Sequence, residues 1–490
     1  MPRRIRQLAL PVWRDPEAVF RAFFAASEFA VWLDGGADAA SGSSVLAVLH
    51  DGSEFVTADV GAGTVARARP LAAGPGESPV TSSASVFDVL GEMLAEHRSV
   101  EGPDVAAASG APLGWFGWFG YELGAHAQGV QIAPAETPDA AFVFVDRAIV
   151  FDHGERTVRI IWIGDEVEAA SQGAHPSWAT GLAAEIGRLD AASVPLISTV
   201  SPSNGAPPGA VPTKWRHDAA RYAELIAECQ AAIVRGDAYQ LCLTNRVDVD
   251  VRPDPATTYL ALRTSSPSHH GGYLRFGDTA LLSASPEQFL LVDADGLVST
   301  KPMKGTRPRS DDPETDAALR RELLESEKER AENLMIVDLM RNDLGRIAEL
   351  GTVEVPALLE VEEYRHVHQL VSTVIARLRH PLTALDAVQS AFPAGSMTGA
   401  PKHSAMTILH ELEQGPRGVY SGAFGYLGID GGADLAMVIR SIVLTPAGAS
   451  IGTGGGITAL SVAAEEVEET RIKARALLAV LGAEALPRSE

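Results

Sequence analysis

Cysteine is almost absent from this sequence, and so are long apolar runs. Only Cys229 and Cys242 occur among 490 residues, which excludes a disulfide framework and is typical of a reducing compartment. No apolar run reaches the roughly 18 residues that a membrane-spanning helix needs. The arginines near the start precede an apolar stretch that ends at Pro11, too short for a signal peptide. We therefore expect a soluble, cytoplasmic protein without a membrane partner.

Positive charge is also scarce. Lys and Arg number 40 against 63 Asp and Glu, and the formal net charge is -23. Such an acidic chain is a poor partner for nucleic acid or an anionic membrane. An anionic substrate would require a local cluster of Lys and Arg. The hydrophobic content of 46% is ordinary for a globular protein, and the length allows roughly two to four domains.

Several common catalytic signatures are missing. No nucleophile elbow or Cys/His hydrolase pattern occurs, and the 13 His residues show no zinc spacing. The glycine cluster Gly452–Ile457 matches neither a dinucleotide fingerprint nor a P-loop. We interpret this cluster as a loop before the last helix, whose exposed backbone N–H groups would suit a carboxylate.

The main compositional break is Leu196–Thr213, which holds four prolines and little periodicity. We take 196–213 as a linker between an N-terminal region, 1–195, and a catalytic region, 214–485. The same kind of composition predicts a long loop over Gly61–Ser85.

Hydrophobic spacing predicts the secondary structure of the second region. Helices are expected over Thr315–Ile347, with an interruption near Asn342, and over Ala464–Leu481. Alternation predicts a strand over Leu435–Leu444. Arg440 is a cation within this apolar strand, so it needs an anionic partner, either an internal Glu or a substrate carboxylate.

The stretch Lys301–Arg309 carries four cations in nine residues. The residues before it indicate a strand, a turn and a second strand, which places Lys304 near a strand end. Pro302 restricts the backbone conformation there, and Gly305 restores conformational freedom after it. Composition leaves open whether this is a solvated basic loop or a rigidly held amine in a cleft.

Two acidic motifs have helical spacing. Their charged residues are Glu325, Glu329 and Glu332 in the first, and Glu466, Glu469 and Lys473 in the second. Each motif is compatible with a solvated helix face that carries ion pairs. Glutamates that meet across a cleft would alternatively form an oxygen-only site for Mg²⁺.

Several segments together resemble one known family. They are Ser285–Glu287, Lys304–Thr306, Glu329–Asn333, Gly395–Lys402 and Gly454–Thr470. In this order they are similar to motifs of the chorismate-utilising enzymes, over about residues 218–481. The resemblance implies an α+β, two-lobed fold of large antiparallel sheets flanked by helices around a deep cleft.

The resemblance also implies roles for individual residues. Magnesium would be held by Glu332 and Glu469, with Glu329 and Glu466 close by. The positions implied to hold or contact chorismate are Arg440, Tyr420, Lys473, Thr306 and the backbone of Gly455 and Gly456.

Two positions discriminate within the family. Members that add water to the ring carry a lysine base where this chain has Gln240, so the resemblance implies an ammonia user. Lys304 implies the branch that forms 4-amino-4-deoxychorismate through a lysine nucleophile, with Glu287 as general acid and base. The amine must then be neutral, and we expect burial together with Lys301 and Arg307 to lower its pKa.

The resemblance implies a separate glutamine amidotransferase subunit that supplies ammonia, and neither cysteine of this chain has the setting of an amidotransferase nucleophile. The product would serve para-aminobenzoate and folate synthesis or a related secondary metabolite. The alternatives are an anthranilate synthase component I and a non-catalytic chorismate-binding regulator.

Overall fold

The computed structural model describes residues 3–72, 79–97, 112–165, 175–189, 211–364 and 367–483. Most of the predicted linker, 196–210, lies outside the described residues. No helix within the described ranges is long and apolar enough to span a membrane.

The strands are short to medium in length and occur throughout the described chain. In chain order they are β1 Arg3–Ala9, β2 Phe29–Asp34, β3 Ser43–Ala47, β4 Phe55–Asp59, β5 Thr64–Ala68, β6 Val80–Ser82, β7 Gly114–Phe119, β8 Ala140–Val145, β9 Arg147–Asp152, β10 Thr157–Asp165, β11 Thr213–Trp215, β12 Gln240–Val249, β13 His270–Phe276, β14 Thr279–Ser285, β15 Gln288–Val292, β16 Leu297–Thr300, β17 Met303–Pro308, β18 Glu354–Glu363, β19 Val367–Arg377, β20 Gly399–Ala400, β21 Ala423–Gly428, β22 Ala433–Met437, β23 Ser441–Thr445 and β24 Gly448–Ile457.

The helices alternate with groups of strands. They are α1 Pro16–Phe23, α2 Val86–His97, α3 Tyr121–Ala127, α4 Ser177–Arg188, α5 Ala219–Arg235, α6 Pro255–Ser265, α7 Pro313–Glu325, α8 Glu327–Gly345, α9 Ala384–Ala391, α10 Lys402–Glu413 and α11 Ala463–Val480, with a 3₁₀ turn over Gly395–Met397.

Antiparallel pairing joins these strands into two twelve-stranded sheets. The first has the order β1-β10-β9-β3-β2-β13-β14-β23-β24-β12-β11, with β20 on β12. The second has the order β17-β19-β16-β15-β22-β21-β7-β8-β4-β5-β6, with β18 on β19. Helices and two large antiparallel sheets confirm the α+β fold expected from the resemblance.

The largest hydrophobic core lies between the two sheets. Trp118 of β7 stacks on Phe276 of β13 with ring centroids 5.0 Å apart, which joins one sheet to the other. Every residue of β7 is buried, so its aromatic and glycine pattern serves packing. Burial of such rings is a dominant source of folding free energy.

Both predicted regions contribute strands to both sheets. In the first sheet β2 pairs with β13, and in the second β7 pairs with β21. The proposed boundary at 196–213 therefore does not separate one sheet from the other. The division of the chain into an N-terminal region, 1–195, and a catalytic region, 214–485, stays a prediction.

Two predicted elements are placed differently by the structure. The long helix predicted over 315–347 breaks at Ser326, whose backbone is extended, and not near Asn342. Glu325 ends α7, so it does not share the helix face of Glu329 and Glu332. The predicted loop over Gly61–Ser85 contains β5 and β6, because Thr64–Ala68 alternates enough to pair with β4.

The strand predicted over Leu435–Leu444 is two strands, β22 and β23, in different sheets. Arg440 lies in the link between them and has φ +50°. It is exposed and not buried within a strand. The glycine cluster is the end of β24 and not a loop, because glycines let this strand approach its neighbours closely.

Candidate active site

A cavity of about 380 Å³ lies where β17, α8, α11 and β24 meet. Its lining contains twelve of the thirteen predicted site residues, the exception being Gln240. The lining includes five cationic and five acidic side chains, so the cavity does not share the acidic excess of the whole chain. The cations are Lys304, Arg307, Lys328, Arg440 and Lys473. This is the local cluster that an anionic substrate requires.

Lys304 reaches the cavity from a distorted part of β17. The register against β19 shifts between Met303 and Thr306, and Gly305 has φ +81°. A Cβ at Gly305 would lie 2.7 Å from Cγ of Glu329, so only glycine lets α8 pack over this strand. Asn333 of α8 donates to the carbonyl oxygen of Pro302 at 3.3 Å, which fixes the strand from the other side.

Two helices bring the glutamates to the cavity. In α8 the buried face runs through Glu332, Ile336 and Met340, at steps of four residues. In α11 Glu466 lies on the buried face with Thr470 and Ala474. Glu332 and Glu466 are thus on the buried helix faces, whereas Glu329 is partly buried and Glu469 is exposed.

Each glutamate of this group contacts a cation. The pairs are Glu329–Arg307 at 3.2 Å, Glu332–Lys304 at 3.9 Å, Glu466–Lys328 at 2.8 Å and Glu469–Lys473 at 2.7 Å. Lys473 also donates to the carbonyl oxygen of Gly454 at 2.8 Å. Two of these cations, Lys304 and Arg307, come from the basic stretch, and two come from the helices themselves.

The donor set fits Mg²⁺ in kind, since it offers carboxylate oxygens and neither sulfur nor imidazole. Oε2 of Glu329 is buried and has no hydrogen-bond partner, which leaves one oxygen available to a ligand. Within the described residues, no three acidic, His or Cys side chains already stand in a metal-holding arrangement. The carboxylates would have to exchange cationic partners for the metal.

Glu287 lies in the link between β14 and β15 and is buried. Burial raises the pKa of Glu287 to about 7, with Lys304, Ser396 and Lys473 acting in the opposite direction. Oγ of Ser396 donates to Oε1 of Glu287 at 3.1 Å. A carboxyl group with this pKa exchanges protons near neutral pH, as a general acid and base must.

The pKa expected for Lys304 was wrong in direction. Burial lowers the pKa of Lys304, but charge interactions, chiefly with Glu332, outweigh burial, and the pKa is raised. The cations expected to lower it face other partners. Lys301 pairs with Glu362 at 3.4 Å, and Arg307 pairs with Glu322 and Glu329. The amine in this arrangement is an ammonium.

Arg440 is open to the cavity, and no hydrogen bond or ion pair joins its guanidinium to the described residues. The surrounding protein still displaces bulk water, so burial lowers the pKa of Arg440, while Tyr420 and Glu469 raise it. Tyr420 packs on Gly452, where a Cβ would lie 2.0 Å from the ring. An unpaired guanidinium beside this ring suits a ligand carboxylate.

The backbone of β24 has an open edge at the cavity. β12 pairs with β24 through Ile457, whereas β23 pairs with it only through Ile451. The amide of Cys242 in β12 donates to Thr398, away from β24. The backbone hydrogen bonds between β12 and β24 are therefore made by the pair Leu243 and Gly455. The amide of Gly456, the next residue, points away from β12 to the open edge of β24.

Gln240 lies behind the cavity wall. It is 1% exposed, and neither side-chain polar atom has a hydrogen-bond partner. A Cβ at Gly456 would lie 2.1 Å from its Nε2 and 3.3 Å from Oε2 of Glu332. A buried amide without partners costs free energy, which indicates that it serves a ligand or water.

Sequence reasoning assigned no role to Lys328, Ser396 or Gln369, all of which line the cavity. Ser396 lies within the quoted Gly395–Lys402 motif, and Lys328 is next to Glu329, but nothing in their spacing marks them. Gln369 is opposite Thr306 in the sheet. His368 points away from the cavity and contacts Asp316 at 3.0 Å.

The geometry agrees with the comparison to known proteins. Residues 53–479 match the family described as chorismate binding enzyme. The chain belongs to this family. Residues of all the quoted motifs line its cavity.

The relatives of this chorismate binding enzyme carry two kinds of name. An aminodeoxychorismate synthase from Streptomyces griseus is 42% identical over 488 residues, covering 98% of this chain and 65% of that protein. An anthranilate synthase component 1 from Streptomyces coelicolor is 40% identical, covering 81% and 78%. An aminodeoxychorismate synthase component 1 from Klebsiella aerogenes is 36% identical, covering 88% and 90%.

A solved structure shows the same fold. The anthranilate synthase component I from Streptococcus pneumoniae superposes with a TM-score of 0.73 at 30% identity, covering 89% of this chain and 92% of that one. The chain spans 65% of the length of the Streptomyces griseus relative and 64% of one from Streptomyces pristinaespiralis.

Proposed function

We propose that this protein aminates chorismate at C4 and so forms 4-amino-4-deoxychorismate and water. The observation that carries the proposal is the lysine Lys304 in one cavity with the carboxyl group of Glu287. A buried amine and a carboxyl with a pKa of about 7 supply a nucleophile and a proton donor for one substitution.

The neutral amine of Lys304 forms a bond to C2 of the ring. The two ring double bonds shift, and the C4–O bond breaks while protonated Glu287 donates its proton, so that water leaves. Ammonia then bonds to C4, the double bonds shift back, and the C2–N bond breaks to return the neutral lysine. The Glu287 carboxylate takes a proton from the new ammonium group. No pyruvate is lost from the ring.

Substrate carboxylates are assigned to Arg440, Lys473 and the open edge of β24 at Gly456. Tyr420 and Thr306 bound the ring, since both line the cavity. Gln240 supplies an amide and no base, which supports ammonia and not water as the second nucleophile. These assignments rest on the family motifs, on the side-chain atoms of Gln240, which have no hydrogen-bond partner, and on the guanidinium of Arg440, which no hydrogen bond or ion pair joins to the described residues.

Magnesium is proposed on Glu332 and Glu469, with Glu329 and Glu466 nearby. When bound, Mg²⁺ would neutralise the ring carboxylate of chorismate and offset the carboxylates that now keep Lys304 charged. Ammonia would come from a separate glutamine amidotransferase subunit. The Klebsiella relative is named as one component, and both cysteines of this chain are buried. The product would enter para-aminobenzoate and folate synthesis or a related pathway.

Incubation of the protein with chorismate, Mg²⁺ and ammonium, followed by chromatography, tests this function. We expect 4-amino-4-deoxychorismate without pyruvate. Fluorescent anthranilate with an equal amount of pyruvate would assign the protein to anthranilate synthase instead. Binding of chorismate without any product would identify a regulator. A chelator-treated sample serves as the control for the metal.

A further inference from the structure

Lys328 differs from the other cations that hold the four glutamates. Lys473 pairs with Glu469 of its own helix, whereas Lys328 belongs to α8 and pairs with Glu466 of α11 at 2.8 Å. Among the described residues, the Lys328–Glu466 ion pair is the one that joins the two glutamate-bearing helices, α8 and α11, directly. The carboxylate of Glu466 is 2% exposed, so its charge needs a compensating partner.

The carboxylate of Glu466 is also fixed independently of Lys328. Oγ of Ser461 donates to the same oxygen, Oε1, at 2.7 Å, and Thr470 donates to the Glu466 backbone carbonyl at 2.9 Å. Loss of the lysine contact would therefore leave the carboxylate in place. The lysine itself is 36% exposed, so its side chain has solvent to turn into.

We propose that the ammonium of Lys328 supplies the positive charge that the divalent metal would otherwise supply, and that metal binding displaces this ammonium. This inference rests on the proposed Mg²⁺ site. Lys328 lies on the same helix as Glu329 and Glu332, one and four residues before them, and its ammonium contacts Glu466 of the other helix, so this ion pair links α8 to a carboxylate of α11. A divalent ion between these helices would compete for the same oxygen of Glu466.

The presence of Lys328 at this position has two consequences for the site. Without metal, Lys328 compensates the buried charge of Glu466 and keeps the two helices together, so the cavity stays assembled. With metal, the cost of displacing Lys328 weakens the apparent affinity, because the metal must replace an existing ion pair. Lys328 thereby sets the concentration of Mg²⁺ at which the site fills.

The test compares the chelator-treated wild-type protein with Lys328→Met, which keeps the length of the side chain and removes its charge. Lys328→Gln, which retains a hydrogen-bond donor, is a second variant in case the first folds poorly. Arg341→Met is the matched control, since Arg341 lies on the same helix and pairs with Asp338 at the surface. Binding of Mg²⁺ and Mn²⁺ is measured by calorimetry, and thermal unfolding is followed with and without each metal.

We expect both Lys328 variants to bind the metals more tightly, by on the order of tenfold. Their unfolding temperature should fall without metal and recover more on adding it than that of wild type. Unchanged or weaker metal binding with equal loss of stability in both conditions would make Lys328 a structural contact and overturn the inference. If neither wild type nor variants bind the metals, the proposed metal site fails as well. The product assay for the amination stands apart from both results.

Discussion

Nζ of Lys304 lies 3.9 Å from Oε2 of Glu332. The residue proposed as nucleophile is therefore paired with a residue proposed to hold the metal. An ammonium has no lone pair with which to attack, so this pair describes a resting arrangement. Release of Glu332 to another cation is what would free the amine.

Replacement of Lys304 tests the nucleophile. Lys304→Gln should lower the rate of C4 amination with ammonium by roughly 10³-fold or more, because it removes the amine proposed to bond to C2. The rate is measured chromatographically. Lys301→Gln is the control, since Lys301 pairs with Glu362 and does not line the cavity. Equal loss in both variants, or a Lys304→Gln enzyme of near-normal rate, would contradict the assignment.

The raised pKa of Glu287 predicts a pH-dependent stability. Its folded value of about 7 lies above the ordinary value of 4.5, so the folded state holds this proton more tightly. The resulting stability is fully present below about pH 4.5 and is lost as the pH rises through about 7. Relative to wild type, Glu287→Gln should gain up to ~3 kcal/mol of unfolding free energy between pH 4.5 and 8.

Denaturant unfolding at several pH values measures this effect. Glu325→Gln, a change at an exposed carboxyl at the end of α7, should show no such trend. A constant difference between Glu287→Gln and wild type across the range would show that Glu287 is ionised in the folded protein. Amination by the wild-type enzyme should also decline above about pH 7, as the proton donor is lost.

Arg440 is expected to act in substrate binding. Arg440→Met should raise KM for chorismate by roughly 10- to 100-fold, the range expected for a lost charge-assisted hydrogen bond. Steady-state kinetics separate KM from kcat. Arg275→Met is the matched control, because Arg275 donates to the Gly277 carbonyl and lies outside the cavity lining. An unchanged KM would place the substrate carboxylate elsewhere.

The contact between Gly452 and Tyr420 predicts a steric effect. Gly452→Ala would place Cβ 2.0 Å from the tyrosine ring, so we expect a loss of about 1–3 kcal/mol in stability together with weaker chorismate binding. Gly345→Ala is the control, since nothing lies within 4 Å of its Cβ position at the end of α8. Calorimetric unfolding compares the two. Equal stability of the two variants would mean that the Tyr420 ring moves aside without a cost in folding free energy.

Glu469 tests the metal assignment. Glu469→Gln should weaken Mg²⁺ binding and nearly abolish amination, because one carboxylate charge is removed from the proposed site. Glu468→Gln is the neighbouring control, since Glu468 pairs with Arg471 and Arg475 on the same helix. Calorimetric titration with Mg²⁺ checks both. Normal turnover of Glu469→Gln in chelator-treated buffer would exclude this residue as a ligand.

Some of the helix and strand boundaries followed from local pattern. The prediction that α11 runs over 464–481 agrees with Ala463–Val480, because apolar and acidic residues recur at helical steps there. The break at Ser326 escaped prediction since serine is tolerated inside helices, and its extended backbone is imposed by the packing of α7 and α8 on β17 and β19. The strand nature of Gly452–Ile457 was missed because glycine has low strand propensity.

The sequence by itself determined which residues could form the site, since the resemblance of its motifs to those of the chorismate-utilising enzymes already grouped Lys304, Glu287 and the four glutamates. Only the tertiary structure decided their electrostatic partners. Lys301 turns to Glu362, Lys304 faces Glu332, and Lys328 crosses to Glu466. Charge interaction depends on distance in space and on burial, and neither is encoded in local periodicity. For this reason the direction of the Lys304 pKa and the bridging role of Lys328 became visible only in the folded chain.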